Sequence, residues 1–179
     1  MEIIIVYNSK TGFTKRYVDW IAEEIKCEVQ SYNDFIKTVK KSDKMIIFCS
    51  RIHAGKIEYL DKMKLLLNHH SNGKFIVVAT GGTPNAANDV VDKIWENNFT
   101  QDELKTIPHF YMQAGLNYEK MGMVDWLLMK MAAKIMSRKK KRNDNETGFG
   151  LAIQKSHDIT SKEYIKPLIE FIDMKMGMK

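Results

Sequence analysis

Short apolar runs alternate with amphipathic segments along most of the chain. Runs of this length are typical of strands that are buried on both faces of a parallel sheet. Five strands are predicted, the second with the alternation of an edge strand; they cover Ile3–Tyr7, Cys27–Tyr32, Met45–Cys49, Phe75–Ala79 and Pro108–Gln113.

The segments between these strands carry apolar residues at helical spacing. We predict a brief helical connector at Phe35–Val39, and a kink or late start in the last helix because Pro167 lies within it. Pro84 is expected at the first position of its helix. The four main predicted helices cover Thr14–Ile25, Lys56–His70, Pro84–Asn97 and Lys162–Met174. Strands that alternate with helices predict an α/β fold with a doubly wound parallel sheet.

The segment from Leu116 to Thr160 interrupts this alternation. Connections between the elements of a compact domain are usually far shorter than this segment of about 45 residues. Within it, Met123–Met136 is predicted to form a helix that is apolar almost all round, and a polar stretch follows at 143–150. We therefore predict a single domain over residues 1–179 with an insertion at about 116–160.

The positive charge of the chain is concentrated in this segment. Residues 119–142 carry eight basic and two acidic side chains. Their net charge of +6 equals the formal net charge of the whole chain. A uniformly basic surface would be typical of a nucleic-acid-binding protein, whereas here a neutral domain carries one basic module. We therefore expect no nucleic-acid partner.

Cysteines and histidines give no sign of a metal site. Cys27 and Cys49 have neither metal-ligand nor Cys-x-x-Cys spacing, and His69-His70 lies at a predicted helix end without further ligands. Buried thiols in a reducing compartment are expected instead. No apolar run reaches the ~20 residues of a membrane span. The chain opens directly into a strand, so we expect a cytoplasmic protein.

A candidate anion site follows the first strand. The turn Ser9-Lys10-Thr11-Gly12-Phe13-Thr14 leads from Ile3–Tyr7 into the first helix. Backbone N–H groups and the helix dipole converge there, and hydroxyl groups add donors. The turn lacks the ending of a Walker A loop and the spacing of a dinucleotide-binding loop. A plain turn with a Ser or Thr cap near Thr14 is the alternative.

Two further loops follow the third and fourth predicted strands. They contain Ser50-Arg51-Ile52-His53-Ala54-Gly55 and Thr80-Gly81-Gly82-Thr83. The carboxyl ends of parallel strands lie at one edge of a sheet, so three such loops are expected to meet there.

The chain resembles the flavodoxins through these three loops. Within that group it is most similar to flavodoxin-type, menaquinone-dependent protoporphyrinogen dehydrogenases, through Ser50–Gly55 and through Ala114-Gly115-Leu116-Asn117-Tyr118 with the methionine-rich stretch after it. The resemblance implies strand order 2-1-3-4-5, bound FMN, and electron transfer from protoporphyrinogen IX to a quinone. It also implies FMN contacts from Ser9, Lys10, Thr11, Gly12, Phe13, Thr14, Ser50, Arg51, Ile52, His53, Ala54, Gly55, Thr80, Gly81, Gly82 and Thr83.

The second loop departs from many flavodoxins because it offers no aromatic residue to stack on the flavin ring. His53 is the nearest candidate, followed by Tyr59, and Phe13 could contribute from the first loop. Arg51 could hold a flavin carbonyl or a substrate carboxylate, or be a solvated loop charge, and His53 could be a plain surface histidine. Arg51 and His53 are the candidate catalytic residues.

Three interpretations fit the methionine-rich helix. It could be part of the hydrophobic core or form a homodimer surface. It could line a path for a hydrophobic substrate. It could also lie in the anionic interface at the inner face of the cell membrane. The membrane interpretation uses Trp126, Arg138, Lys139, Lys140, Lys141 and Arg142. For the whole chain, the alternatives to the quinone-linked enzyme are a soluble flavodoxin-type electron carrier and a flavin-free binding protein.

Overall fold

The structure is a computed structural model, and it describes residues 2–38, 44–67, 74–138 and 155–177. The segments described contain a sheet of six strands with helices around it. The strands are β1 (Ile3–Asn8), β2 (Glu28–Ser31), β3 (Met45–His53), β4 (Lys56–Ile57), β5 (Phe75–Gly81) and β6 (His109–Gln113).

Five of these strands are parallel, in the order β2-β1-β3-β5-β6. The predicted α/β fold and the predicted order 2-1-3-4-5 are confirmed, with β5 and β6 as the fourth and fifth predicted strands. The sixth strand, β4, pairs with β3 in the antiparallel direction and was not predicted.

The helices are α1 (Phe13–Ile25), α2 (Tyr32–Thr38), α3 (Leu60–Leu66), α4 (Asn88–Asn98), α5 (Gln101–Thr106), α6 (Met123–Arg138) and α7 (Lys166–Met176). Short 3-10 turns occupy Tyr118–Lys120 and Lys162–Ile165. The second of these turns delays the closing helix to Lys166, so Pro167 stands in its first turn, where a missing N–H costs nothing. The predicted late start is confirmed.

Each central strand is buried on both faces, as its apolar run predicts. Ile4 and Val6 of β1 face one core, which also contains Phe48. Ile3 and Ile5 face the other, because successive side chains of a strand point to opposite sides. The sheet is therefore the shared wall of two hydrophobic cores, and its strand ends are held rigidly.

The predicted helix Lys56–His70 is wrong at its start. Ala54 and Gly55 both have positive φ, 48° and 78°, and they turn the chain back into β4. The helix α3 begins only at Leu60, and Tyr59 and Leu66, which were expected on its buried face, are exposed. Residues 68–70 lie outside the described residues.

Two other boundaries also differ from the prediction. Pro84 does not start a helix, because residues 84–87 form a turn in which Ala87 N donates to Pro84 O, and α4 begins at Asn88. The strand β2 ends at Ser31, whose hydroxyl accepts from Asp34 N and starts α2 at Tyr32. The predicted connector at 35–39 is thus the end of α2 as far as Thr38.

The helix α5 was missed by the sequence analysis. Thr100 and Glu103 form a reciprocal capping box at its N-terminus. This pairing is a recognisable start signal, but the helix behind it has no buried residue and so lacks the apolar periodicity that was used to find helices.

The chain divides into two compact units, Met1–Ala114 with Thr160–Lys179, and Gly115–Ile159. In the second unit, Leu116 and His157 form an antiparallel bridge through both N–H···O bonds. A Cβ on Gly115 would lie 1.9 Å from the carbonyl oxygen of His157, so only glycine fits. The single domain with an insertion stays a prediction.

The Ala54–Gly55 turn gives a stability test. Ala54 is exposed and left-handed, a conformation that asparagine adopts more readily than alanine. We expect Ala54→Asn to raise the free energy of unfolding by about 0.5–1 kcal/mol in urea denaturation. Ala86→Asn, at an exposed turn residue without positive φ, should give no gain, and equal effects would contradict this account.

Candidate functional site

The carboxyl ends of three neighbouring strands place the three predicted loops side by side. Asn8, at the end of β1, pairs in register with Ser50 of β3, and Arg51 pairs with Thr80 of β5. The beginnings of the loops after β1, β3 and β5 therefore lie along one edge of the sheet. This is the position where open α/β sheets bind ligands.

The first loop ends in a helix start whose N-cap residue is a glycine. Gly12 stands at the N-cap of α1 with φ 95°, a left-handed conformation that favours glycine. The hydroxyl of Ser9 accepts from Lys15 N at 3.3 Å. The first turn of α1 thus has no acidic residue and no side chain at its N-cap, and Ser9 takes only the N–H of Lys15, which suits an anion at this end of the helix.

Thr14 joins the first loop to the third. Its hydroxyl oxygen lies 2.7 Å from that of Thr80, and each residue is only 2% exposed. The structure places Gly12, not Thr14, at the cap of α1. The sequence suggested that the Thr14 hydroxyl donates to a phosphate. Because this hydroxyl already has a buried partner, Thr14 instead connects the first and third loops.

Glu58 joins the first loop to the second and was missed by the sequence analysis. Its carboxylate accepts from Asn8 Nδ2 at 2.8 Å and from Arg51 Nε and Nη2 at 2.9 and 2.8 Å. Lys10 Nζ lies 3.5 Å from the same carboxylate. Glu58 falls inside a segment predicted as helix, so no sequence signal set it apart.

Glu58 therefore offsets the charge of Arg51, and with Lys10 nearby the group keeps one net positive charge. The bonds from Arg51 and then Asn8 lower the pKa of Glu58 to about 2, although partial burial opposes this. Glu58 is thus an anion at neutral pH. Arg51, a candidate for a flavin carbonyl or substrate carboxylate, uses two of its guanidinium N–H groups on Glu58.

The rest of the second loop is not a loop. Ile52 and His53 belong to β3, and Ala54–Gly55 is the hairpin turn before β4. Asn98, at the end of α4, donates to Gly55 O at 2.8 Å and accepts from Ile57 N at 2.9 Å. Ala54 and Gly55 are therefore tied to α4, whereas Ser50 and Arg51 are tied to β1 and β5.

The third loop carries two glycines in different surroundings. A Cβ on Gly81 would lie 3.1 Å from both Ile52 Cδ1 and Tyr111 Oη, whereas one on Gly82 would meet nothing. Tyr111 donates to Thr83 O at 2.8 Å, and burial raises the pKa of this phenol. The backbone of Gly82 is thus open to a close approach by a ligand.

The candidate ring-stacking residues lie in different surroundings. Phe13 is buried, at 8% exposure. Tyr59 is stacked on Tyr32, with ring centroids 4.4 Å apart and planes 9° apart. His53 is half-buried in β3, where it pairs in register with Lys56. One face of Tyr59 is therefore occupied by Tyr32.

These residues fit the phosphate of the FMN that the resemblance implies. The start of α1, with the left-handed Gly12 at its N-cap, and the open Gly82 supply backbone donors and space. Ser9, Thr11 and Lys10 stand beside them in sequence.

The remaining candidate groups give no second catalytic site. Burial raises the pKa of the Cys27 thiol to about 11 and also raises that of Cys49, so both stay protonated. Within residues 2–38, 44–67, 74–138 and 155–177, no group of three or more His, Cys, Asp or Glu side chains could hold a metal ion. Among the helices of these ranges, none is long and apolar enough to cross a membrane.

The second unit presents apolar side chains on α6. Lys130 Nζ lies 4.4 Å above the ring of Tyr118 and 5.9 Å above that of Trp126. Arg138 ends the helix, while Lys139–Arg142 of the predicted membrane contact lie outside the described residues. Among the α6 side chains that the structure describes, the exposed apolar ones are Met123, Trp126, Leu127 and Met131.

The Thr14–Thr80 pair gives a test of how the loops are connected. Thr14→Val removes one hydroxyl and leaves that of Thr80 buried without this partner. We expect the free energy of unfolding to fall by about 1–3 kcal/mol, and Thr14→Val with Thr80→Val to recover much of it because both polar groups are gone. Urea denaturation measures both. A loss no larger than that of the exposed control Thr106→Val would contradict the pairing.

Comparison with known proteins supports this reading of the fold. The flavodoxin domain model matches residues 4–144. A search of curated proteins gave no match. An archaeal flavodoxin structure is 17% identical, with a TM-score of 0.36, and the match covers 63% of this chain and 85% of that one. The Trp repressor binding protein from Bacillus subtilis is 14% identical, with a TM-score of 0.38 and coverage of 80% and 100%.

These two structural likenesses are too distant to carry an argument about function. The family match is of another kind, because it spans most of the chain and includes the loops after β1, β3 and β5. Flavodoxin domains generally bind FMN and have redox roles. The chain belongs to the flavodoxin domain family.

Proposed function

We propose that this protein is an FMN-dependent oxidoreductase that passes electrons from protoporphyrinogen IX to menaquinone. The observation that carries the flavin part is the register of Asn8 with Ser50 and of Arg51 with Thr80 near the carboxyl ends of β1, β3 and β5, beside the start of α1 at Gly12. The two substrates rest on the resemblance of Ser50–Gly55 and Ala114–Tyr118 to protoporphyrinogen dehydrogenases.

The residues of the chain bind and orient the cofactor. Ser9–Gly12 and the first turn of α1 hold the phosphate, while Ser50–Arg51 and Gly81–Thr83 hold the ring. When bound, FMN supplies the electron-transfer chemistry. Arg51 acts mainly on the shape of the site, because Glu58 takes its guanidinium group. His53 is kept as a candidate contact to the ring or the substrate.

The distribution of charge favours an enzyme over a soluble electron carrier. Carriers that dock on basic partners present an acidic face, whereas this chain has a net charge of zero outside residues 119–142. A soluble carrier is therefore the second candidate, and a flavin-free binding protein is the third.

The proposed function predicts a coloured protein that exchanges electrons with a quinone. We expect the purified full-length chain to show a flavin spectrum, alone or after addition of FMN. Under anaerobic conditions, an excess of a reduced menaquinone analogue should bleach that spectrum because the flavin is reduced. Protoporphyrinogen IX with an oxidised menaquinone analogue should yield protoporphyrin IX, followed by its fluorescence.

Each other outcome points to a different function. Bound flavin that neither quinol nor quinone affects would favour the soluble carrier. Flavin that reacts with quinone but not with protoporphyrinogen would keep the quinone-linked enzyme and remove the porphyrin substrate. Failure to bind FMN would contradict the proposal and leave the flavin-free binding protein.

We further propose that α6 lies in the interface of an anionic membrane, where menaquinone would be reached. The supporting observation is an exposed set of apolar side chains on a helix that also carries Lys130 and Lys134. Tryptophan and aliphatic side chains enter the headgroup region, and nearby lysines pair with anionic lipids. A homodimer that buries the same side chains is the competing arrangement.

Vesicle flotation tests this proposal. We expect the chain to float with phosphatidylglycerol-rich vesicles but not with phosphatidylcholine vesicles. Trp126→Ser with Leu127→Ser should abolish flotation because it removes apolar area from α6. The matched control is Leu65→Ser with Leu66→Ser, two exposed leucines on α3, which should float normally. Equal loss of flotation in both variants would contradict the proposal. So would a parent chain that does not float and forms a dimer that the α6 substitutions dissociate.

A further inference from the structure

Glu58 connects β1 and β3 near the carboxyl ends of these strands. Its carboxylate holds Asn8 of β1 and Arg51 of β3. Its carbonyl oxygen accepts from the hydroxyl of Ser50 at 2.8 Å, and its N–H donates to Arg51 O at 3.1 Å. We refer to Asn8, Ser50, Arg51 and Glu58 as the Glu58 clamp.

The charged side chains of the clamp are largely shielded from water, so the strength of their interaction depends on good hydrogen-bond geometry. The side chains of Arg51 and Glu58 are 14% and 18% exposed. Two parallel N–H···O bonds join them, which fixes the guanidinium plane as well as the distance. Ser50 is fully buried, and Asn8 Nδ2 also lies 3.3 Å from its hydroxyl. Removal of the Glu58 carboxylate takes one acceptor from the partly buried Arg51 and Asn8 side chains.

The backbone next to Glu58 is held in a costly conformation. Tyr59 has φ 62°, a left-handed value that residues with a Cβ rarely adopt. Strain of this kind persists where surrounding contacts over-determine the chain, and it is found at ligand sites. Here the contacts on the amino side of Tyr59 are those of the Glu58 clamp.

We propose that Glu58 is a positioning residue of the flavin site, which holds Asn8 at the end of β1 and Arg51 of β3 in the arrangement that the flavin ring requires. This inference rests on the proposed function only in that the chain binds FMN. Glu58 acts through Asn8 and Arg51 and not as a contact to the phosphate. Loss of Glu58 should therefore weaken the binding of every flavin with the same ring system, whether or not it carries a phosphate.

The experiment compares FMN with riboflavin, which lacks the phosphate. Both are titrated by flavin fluorescence against the full-length chain and its Glu58→Gln variant, which keeps the shape of the side chain and loses the charge. We expect the affinities for FMN and riboflavin to fall by the same factor, about tenfold or more, which corresponds to the loss of one charged hydrogen-bonded pair.

A matched control removes a similar pair elsewhere. Glu103 accepts from Lys64 Nζ at 2.8 Å and is 27% exposed, and it belongs to α5, not to the strand ends. Glu103→Gln should leave both flavin affinities unchanged. Ser50→Ala removes the hydroxyl bonds to Glu58 O and from Asn8 Nδ2 but leaves the carboxylate of Glu58 in place. It should cause a smaller loss of affinity for both flavins, and it tests the clamp if Glu58→Gln does not fold.

A double-variant cycle tests whether Glu58 acts through Arg51. Arg51→Gln alone and Arg51→Gln with Glu58→Gln should bind riboflavin as weakly as Glu58→Gln alone, because the pair acts as one unit. Independent, additive losses would overturn the proposal. A loss of affinity for FMN alone would also overturn it, because Glu58 would then act on the phosphate by charge. Unchanged flavin binding in Glu58→Gln would overturn it as well. If the parent chain itself binds no flavin, the proposed function fails first.

Discussion

The site depends on the parallel register of β1, β3 and β5. Parallel strands bring their carboxyl ends to one edge, and the pairs Asn8–Ser50 and Arg51–Thr80 fix the starts of three loops within that edge. Apolar side chains on both faces of the sheet hold these strands in place. The loops inherit this rigidity, and a cofactor that contacts all three would meet a preformed surface.

Side-chain hydrogen bonds then connect the loops to one another. The buried Thr14–Thr80 pair joins the first loop to the third, and Glu58 joins the first to the second. Neither connection needs a ligand. Residues that look like cofactor contacts in the sequence, Thr14 and Arg51, thus spend much of their hydrogen-bonding capacity on holding the site together, which leaves backbone amides and Ser9, Thr11 and Gly82 for the ligand.

The strands and their order could be predicted because buried parallel strands have an unmistakable apolar pattern. The region after β3 could not, because the type of turn at Ala54–Gly55 is set by backbone angles, and asparagine, the usual residue there, is absent. The error placed Glu58 inside a helix and hid its role. Asn98 was missed for a similar reason, since its value lies in reaching Gly55 and Ile57 across 41 or more residues of sequence.

The central claim is that the three loops together form the flavin site, and amide NMR chemical shifts measure this most directly. On addition of FMN to the full-length, ¹⁵N-labelled chain, the account predicts that the amides of Gly12, Arg51 and Gly82 shift together and saturate at one ratio. The amides of Ile3 and Met45, at the opposite ends of β1 and β3, should stay unchanged. Shifts absent from these loops, or confined to one of them, would contradict it.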